Sequence, residues 1–148
     1  MAPYQHKLTV RFRDCDAFGH VNNAVYLTFL EEARSHWLFS LTQGASLADI
    51  PFIVASIQID YRSPAYFQEE LDISVRVDDM RSRSFALASE ITCGDRLVAN
   101  ARVVLVAYDH ANRKAVPVPE ELKLRLLASV QGDPGLAGSG LPNTGTTP

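Results

Sequence analysis

The spacing of hydrophobic residues changes twice along the chain. Over residues 4–12, Leu8, Val10 and Phe12 alternate with Lys7, Thr9 and Arg11. A period of two predicts a strand with one buried face. The period then lengthens: Tyr26, Leu30, Ala33, Trp37 and Leu41 recur at helical spacing, and Phe29 and Leu38 widen the stripe. Glu31, Glu32, Arg34, Ser35 and His36 take the opposite side. This predicts a helix from Asn22 or Asn23 to Leu41 or Thr42, roughly 30 Å long. Asn22 is its expected cap and Gly44 its stop. With Asn22 as cap, Val21 and Tyr26 fall at the two positions that staple the entering loop. Burying each of Phe29, Leu30, Trp37 and Leu38 stabilises by roughly 1.5–3 kcal/mol, which makes this a central helix.

After Pro51 the period of two returns. Ile53, Ala55, Ile57, Ile59 and Tyr61 alternate with Val54, Ser56, Gln58 and Asp60, up to a break at Pro64. Leu71, Ile73, Val75 and Val77 alternate with Asp72, Ser74, Arg76 and Asp78. A turn around residues 79–82 leads to Phe85, Leu87 and Ile91, and Gly94-Asp95 signals a hairpin. The last strand covers residues 97–108. Its stretch 103–107 is apolar on both faces, which predicts a second covered face or a subunit contact. A short helix is expected over residues 119–128, entered through Pro117 and Pro119. The pattern as a whole predicts an α+β domain over residues 1–129, with a long-stranded antiparallel sheet curled about one helix. Residues 130–148, rich in Gly, Pro, Ser and Thr, are expected to form a flexible tail.

Composition narrows the function. A chain of 148 residues with 47% hydrophobic and 21% charged residues fits one globular domain. A net charge of −3 without a basic stripe argues against nucleic acid as a partner. No apolar run approaches the ~18 residues of a membrane span, and the polar start lacks a signal-peptide pattern. Two cysteines, Cys15 and Cys93, fit a reducing compartment. The expected location is the cytoplasm.

The chemistry concentrates in residues 13–34. Asp16, Gly19, His20, Asn22 and Asn23 precede the helix, where unpaired N–H groups and a partial positive charge gather. Alone, Asp16 reads as a turn carboxylate. In this run it reads as a nucleophile or general base beside donors suited to an oxyanion. His20 is either a second acid–base group or a hydrogen-bonding loop residue, and the Asn23 N–H is the candidate oxyanion donor. Asp14-x-Asp16 is no calcium loop, because Phe18 and Val25 stand where oxygen ligands are needed. His20 and His36 lack a helical ligand spacing, so no metal is expected. Cys15 has no partner that would make it a nucleophile.

The run Asp16-x-Phe18-Gly19-His20-Val21-Asn22-Asn23-x-x-Tyr26 resembles the hotdog-fold acyl-CoA thioesterases of the 4-hydroxybenzoyl-CoA thioesterase type. The later run Ile59-Asp60-Tyr61-Arg62-Ser63-Pro64-Ala65, with Glu69-Glu70-Leu71, is similar to that family's second stretch. The resemblance implies a five-stranded antiparallel sheet wrapped around the long helix, and a homodimer or homotetramer with its active site between subunits. It implies Asp16 as the catalytic acid and the Asn23 N–H as the carbonyl-polarising donor. A similar His-Val-Asn-Asn run in acyl-carrier-protein thioesterases adds His20 and Asn22 as secondary candidates. The aromatic and proline residues that benzoyl-type members carry after the glycine are absent, which favours an aliphatic acyl group.

The expected activity is therefore hydrolysis of an acyl-CoA thioester, with no cofactor beyond the coenzyme A of the substrate. Gly19, Tyr26 and Phe29 are expected near the acyl group, and Arg62, Arg81 and Arg83 near the nucleotide phosphates. A non-catalytic acyl-CoA or acyl-carrier binding module is the alternative from another class, with an acyl-carrier-protein thioesterase as a variant of the first. A dehydratase on the same scaffold ranks last.

Overall fold

The computed structural model describes residues 3–42 and 52–130. Strand β1 (Tyr4–Thr9) leads through a 3-10 turn (Phe12–Asp14) to helix α1 (Val25–Leu41). Strands β2 (Phe52–Tyr61), β3 (Glu70–Met80), β4 (Ser84–Cys93) and β5 (Arg96–Asp109) follow. A two-residue strand β6 (Lys114–Ala115) and helix α2 (Glu120–Val130) complete the order. The sheet runs β1-β3-β4-β5-β2, every pairing is antiparallel, and β6 pairs only with β5.

The alternation read from β3 is the alternation observed: Leu71, Ile73 and Val75 are fully buried and Val77 nearly so. Rows of directly opposed residues continue this inner face across the sheet. Ile73 lies opposite Ile91, which lies opposite Ala99, which lies opposite Tyr61. A second row joins Val77, Leu87, Val103 and Ile57. Onto this face α1 lays Tyr26, Phe29, Leu30, Ala33, Trp37 and Leu38, all buried. Helix α2 closes the core with Leu122 and Leu126.

Several expectations need correction. The sheet has six strands, because the chain doubles back after β5 to form the short β6. The first strand ends at Thr9, and Phe12, expected inside, is 80% exposed in the 3-10 turn, edge-on to Phe67. In β2 a register shift between Val54 and Ser56 leaves Ala55 out of the pairing. The bulge swaps faces, so Phe52 and Val54 stand on the same side as Ile57, Ile59 and Tyr61, not opposite them. Arg34, assigned to the polar side of α1, is 7% exposed. Burial draws its guanidinium below the usual range, and Glu31, 3.6 Å away, offsets this in part. In the apolar stretch of β5, Val103, Leu105 and Ala107 are buried while Val104 and Val106 are half-exposed.

Helix α2 continues to Val130, past the boundary expected at residue 129. The expected stop at Gly44 and the tail from residue 131 lie outside the described residues.

Candidate active site

The site loop is closed by hydrogen bonds at every level. Cys15 and Val21 form an isolated antiparallel bridge. Inside it the Asp16 N–H donates to the His20 carbonyl at 3.1 Å, and the Gly19 N–H returns to the Asp16 carbonyl at 3.0 Å. Gly19 takes φ +85°, a left-handed conformation that costs a residue with a Cβ about 1–2 kcal/mol. Outside it, the Val21 N–H donates to the Ala65 carbonyl and the Asn22 N–H to the Asp14 carbonyl, both at 2.9 Å. Asp14 is buried and takes hydrogen bonds from the Arg11 N–H (2.8 Å) and the Arg11 guanidinium (3.0 Å). Burial pushes its carboxyl up, but the Arg11 bonds outweigh that and hold it below the ordinary carboxylate range.

Asp16 is half-buried, and its Oδ1 accepts the Phe18 N–H at 2.9 Å. This is the Asx turn that its isolated reading predicts. Its other oxygen has no hydrogen-bond partner among the described residues. His20 Nδ1 stands 3.2 Å from the Val21 carbonyl oxygen, to which only a protonated nitrogen can donate. The ring also stacks with Phe18.

Regular helix starts at Val25, later than expected, because residues 22–25 first close a turn in which the Val25 N–H donates to the Asn22 carbonyl at 3.0 Å. Asn22 still performs a cap's chemistry there: its Oδ1 accepts the Ala24 N–H at 2.9 Å. Asn23 is therefore not the first helical residue but the middle of this turn. Among the described residues its N–H has no acceptor, and it is exposed. Its carbonyl accepts the Tyr61 hydroxyl at 2.8 Å.

Tyr26 and Phe29 meet edge to face and are each 3% exposed. The Tyr26 hydroxyl accepts the Ala65 N–H at 3.2 Å, and burial pushes its phenol up. Arg62 follows β2 and donates to Asn100 Oδ1 at 2.9 Å. Arg81 and Arg83 lie in the β3–β4 turn. Within one chain they are separated from the Asp16 end by the 11 residues of β3, roughly 35 Å of strand. Sequence reading took Tyr61 as an apolar strand position and missed its hydroxyl bond. The hydroxyl at the end of the Ile59-Asp60-Tyr61 run was the available signal, but its partner lies 38 residues away. Also missed was Glu69, which accepts the Tyr66 N–H and Arg96 at both oxygens, and so fastens the segment that receives Val21.

Asp14, Cys15, Asp16 and His20 do not converge as a metal-ligand set among the described residues. The arrangement offers a carboxylate with one oxygen unpaired among the described residues, an imidazole and an unpaired N–H ahead of a helix. That combination suits addition to a carbonyl carbon and stabilisation of the resulting oxyanion.

Comparison with known proteins identifies the family. Long-chain acyl-CoA thioesterase FadM of Escherichia coli K12 is 35% identical over 126 residues, covering 82% of this chain and 96% of that protein. Acyl-CoA thioester hydrolase YbgC of Escherichia coli O6:H1 is 28% identical over 123 residues, covering 80% and 92%. A solved thioesterase from Thermus thermophilus, complexed with coenzyme A and Zn, superposes with a TM-score of 0.77 at 30% identity, covering 87% of this chain and 95% of that one. The family model described as the Thioesterase-like superfamily matches residues 10–126. The chain thus belongs to the Thioesterase-like superfamily, with the hotdog architecture that its Asp16–Tyr26 motif implied.

Proposed function

We propose that this chain hydrolyses acyl-CoA thioesters to the free acid and coenzyme A, with aliphatic acyl groups as its substrates. The observation that carries the reading is the unpaired Asn23 N–H, held in a fixed turn ahead of α1 and on the same loop as the free Asp16 oxygen. The thioester carbonyl oxygen rests on that N–H, where the helix end favours negative charge. Such a donor is typically worth ~2.7–4 kcal/mol of barrier.

Asp16 has two routes. As a base it takes a proton from water while the water oxygen bonds to the carbonyl carbon. The tetrahedral oxyanion then collapses, breaks the C–S bond, and the thiolate takes up the proton. As a nucleophile it bonds to the carbonyl carbon itself and expels the thiolate, and water cleaves the resulting mixed anhydride. His20, on the same loop, relays the proton in either case.

The reading includes a homodimer. Strand β2 is a ten-residue edge on which Ile53, Val54 and Ile57 are between 36% and 43% exposed. A long apolar edge is a template for pairing with another strand. Antiparallel self-pairing about a two-fold axis brings the second copy's β3–β4 turn to the end of the sheet that carries Asp16. It also covers the inner-face residues that α1 leaves open. Arg81 and Arg83 then serve the nucleotide phosphates across the interface.

Free-thiol release across a panel of acyl-CoAs, short, long and aryl, tests the proposal. Turnover is expected on aliphatic thioesters, and Asp16→Asn, which keeps the turn-forming oxygen, is expected to lose at least about 100-fold. Near-normal release by that variant removes Asp16 from the mechanism. Tight binding of intact acyl-CoA without thiol release makes the chain a non-catalytic binder.

A further inference from the structure

Between β1 and α1, three side chains with metal-ligating atoms converge. Glu32 and His36 stand four residues apart on the helix, and His6 projects from β1 towards both. His6 Nε2 lies 2.9 Å from Glu32 Oε1, and the His6 and His36 rings stack with centroids 4.8 Å apart. One donor atom from each of the three lies within 4.8 Å of the other two.

We propose that His6, Glu32 and His36 form a binding site for a divalent transition-metal ion of the zinc class. Two imidazoles and one carboxylate are a ligand set that zinc accepts and that magnesium and calcium, which prefer oxygen ligands alone, do not. A tetrahedral zinc ion with bonds of ~2.1 Å holds its ligands about 3.4 Å apart. The His6–Glu32 pair is already closer than that, and the ion replaces the proton shared between them. His36 and Glu32 are exposed, so their side chains can close the remaining gap by rotation at little cost. Their exposure leaves the fourth coordination position to water.

The site joins two elements that otherwise meet over a small area. β1 is the outermost strand, pairs only with β3, and rests on α1 through contacts such as Tyr4 on Trp37. An ion bound by one strand residue and two helix residues fastens this edge to the central helix. It stabilises the folded chain by mass action, because the ligand set does not exist once β1 detaches. Within one chain Glu32 and His36 lie roughly 10 and 16 Å along the helix from Val25, so the ion serves as a fastener there.

The test uses the full chain, stripped with a chelator and titrated with zinc alone by calorimetry, then with cobalt(II) by visible absorption. Wild type is expected to bind one ion per chain and to show the intense d–d bands of a tetrahedral cobalt site. At a hundredfold excess over Kd its Tm is expected to rise on the order of 5 °C. His36→Ala and Glu32→Gln alter exposed helix positions and should fold normally. Each is expected to weaken zinc binding at least about tenfold and to abolish the Tm rise. His6→Gln is expected to do the same, while His110→Ala leaves both unchanged. Absence of saturable zinc binding overturns the proposal, as does binding that survives His36→Ala and Glu32→Gln.

Discussion

The Tyr61 hydroxyl donates to the Asn23 carbonyl at 2.8 Å, tying the end of β2 to the turn that presents the candidate oxyanion donor. The phenol ring also meets Tyr26 edge to face at 5.3 Å, so its position is fixed from two sides. Tyr61→Phe keeps the ring and loses the bond. A net hydrogen bond of about 0.5–1.5 kcal/mol predicts a fall in kcat of roughly two- to tenfold, with KM nearly unchanged. Steady-state thiol release checks this. A KM effect without a kcat effect would place Tyr61 in substrate binding instead.

Gly19 has open space where a Cβ would stand, so its only constraint is φ +85°. Gly19→Ala should destabilise by about 1 kcal/mol through the backbone alone. Gly19→Asn should cost less, since Asn tolerates this region. Thermal melts of both variants rank them, and equal stability of Ala and Gly would show that the loop relaxes to another conformation.

Glu69 predicts acid sensitivity. Burial pushes its carboxyl up, but its hydrogen bonds to Arg96, Cys93 and the Tyr66 N–H outweigh that and hold it below the ordinary range. A carboxyl depressed in the folded state binds fewer protons than it does unfolded. Its stabilisation is therefore fully present only well above the unfolded carboxyl's ordinary value of 4.5, and it is lost as pH falls through that value and then through the folded one. Asp14 and Asp78 are depressed as well, Asp78 chiefly by its bond to Arg102. Tm is expected to fall steeply between about pH 5 and pH 3. Glu69→Gln should destabilise the fold at neutral pH by on the order of 1–2 kcal/mol, read as a lower Tm, and flatten that slope. An unchanged slope would assign the acid response to other groups.

Val54→Lys places a charge on the β2 edge, where Val54 is 43% exposed. If the proposed β2-edge dimer forms, sedimentation should show its loss in this variant, and thiol release should fall with it, while far-UV circular dichroism stays intact. A dimer that survives the charge would move the interface elsewhere.

The parts of this fold that were legible in the sequence are those decided by neighbours a few residues apart. Leu71, Ile73 and Val75 alternate because β3 has one wet face and one dry face, and the pattern records it directly. The helix stripe from Tyr26 to Leu38 is readable for the same reason. What was not legible depends on distant residues. Nothing near Ala55 announces a bulge, since the cause is its mismatch with β5. Arg34 looks like a surface residue until the helix is docked. Phe12 continues a strand pattern that the Arg11–Asp14 contacts terminate. In the site, Asp16 and Asn23 were readable as one local run, whereas Tyr61 and Glu69 act through partners 38 residues away (Asn23) and 27 residues away (Arg96).

The loop bearing Asp16 is fastened at Val21 to Ala65, at Asn23 to Tyr61 and, across its own base, at Asn22 to Asp14. A loop so held cannot bend to suit one acyl group or another. Preference among substrates must then be set by the walls that receive the tail, and it can drift or be re-engineered there without retuning the bond-breaking apparatus.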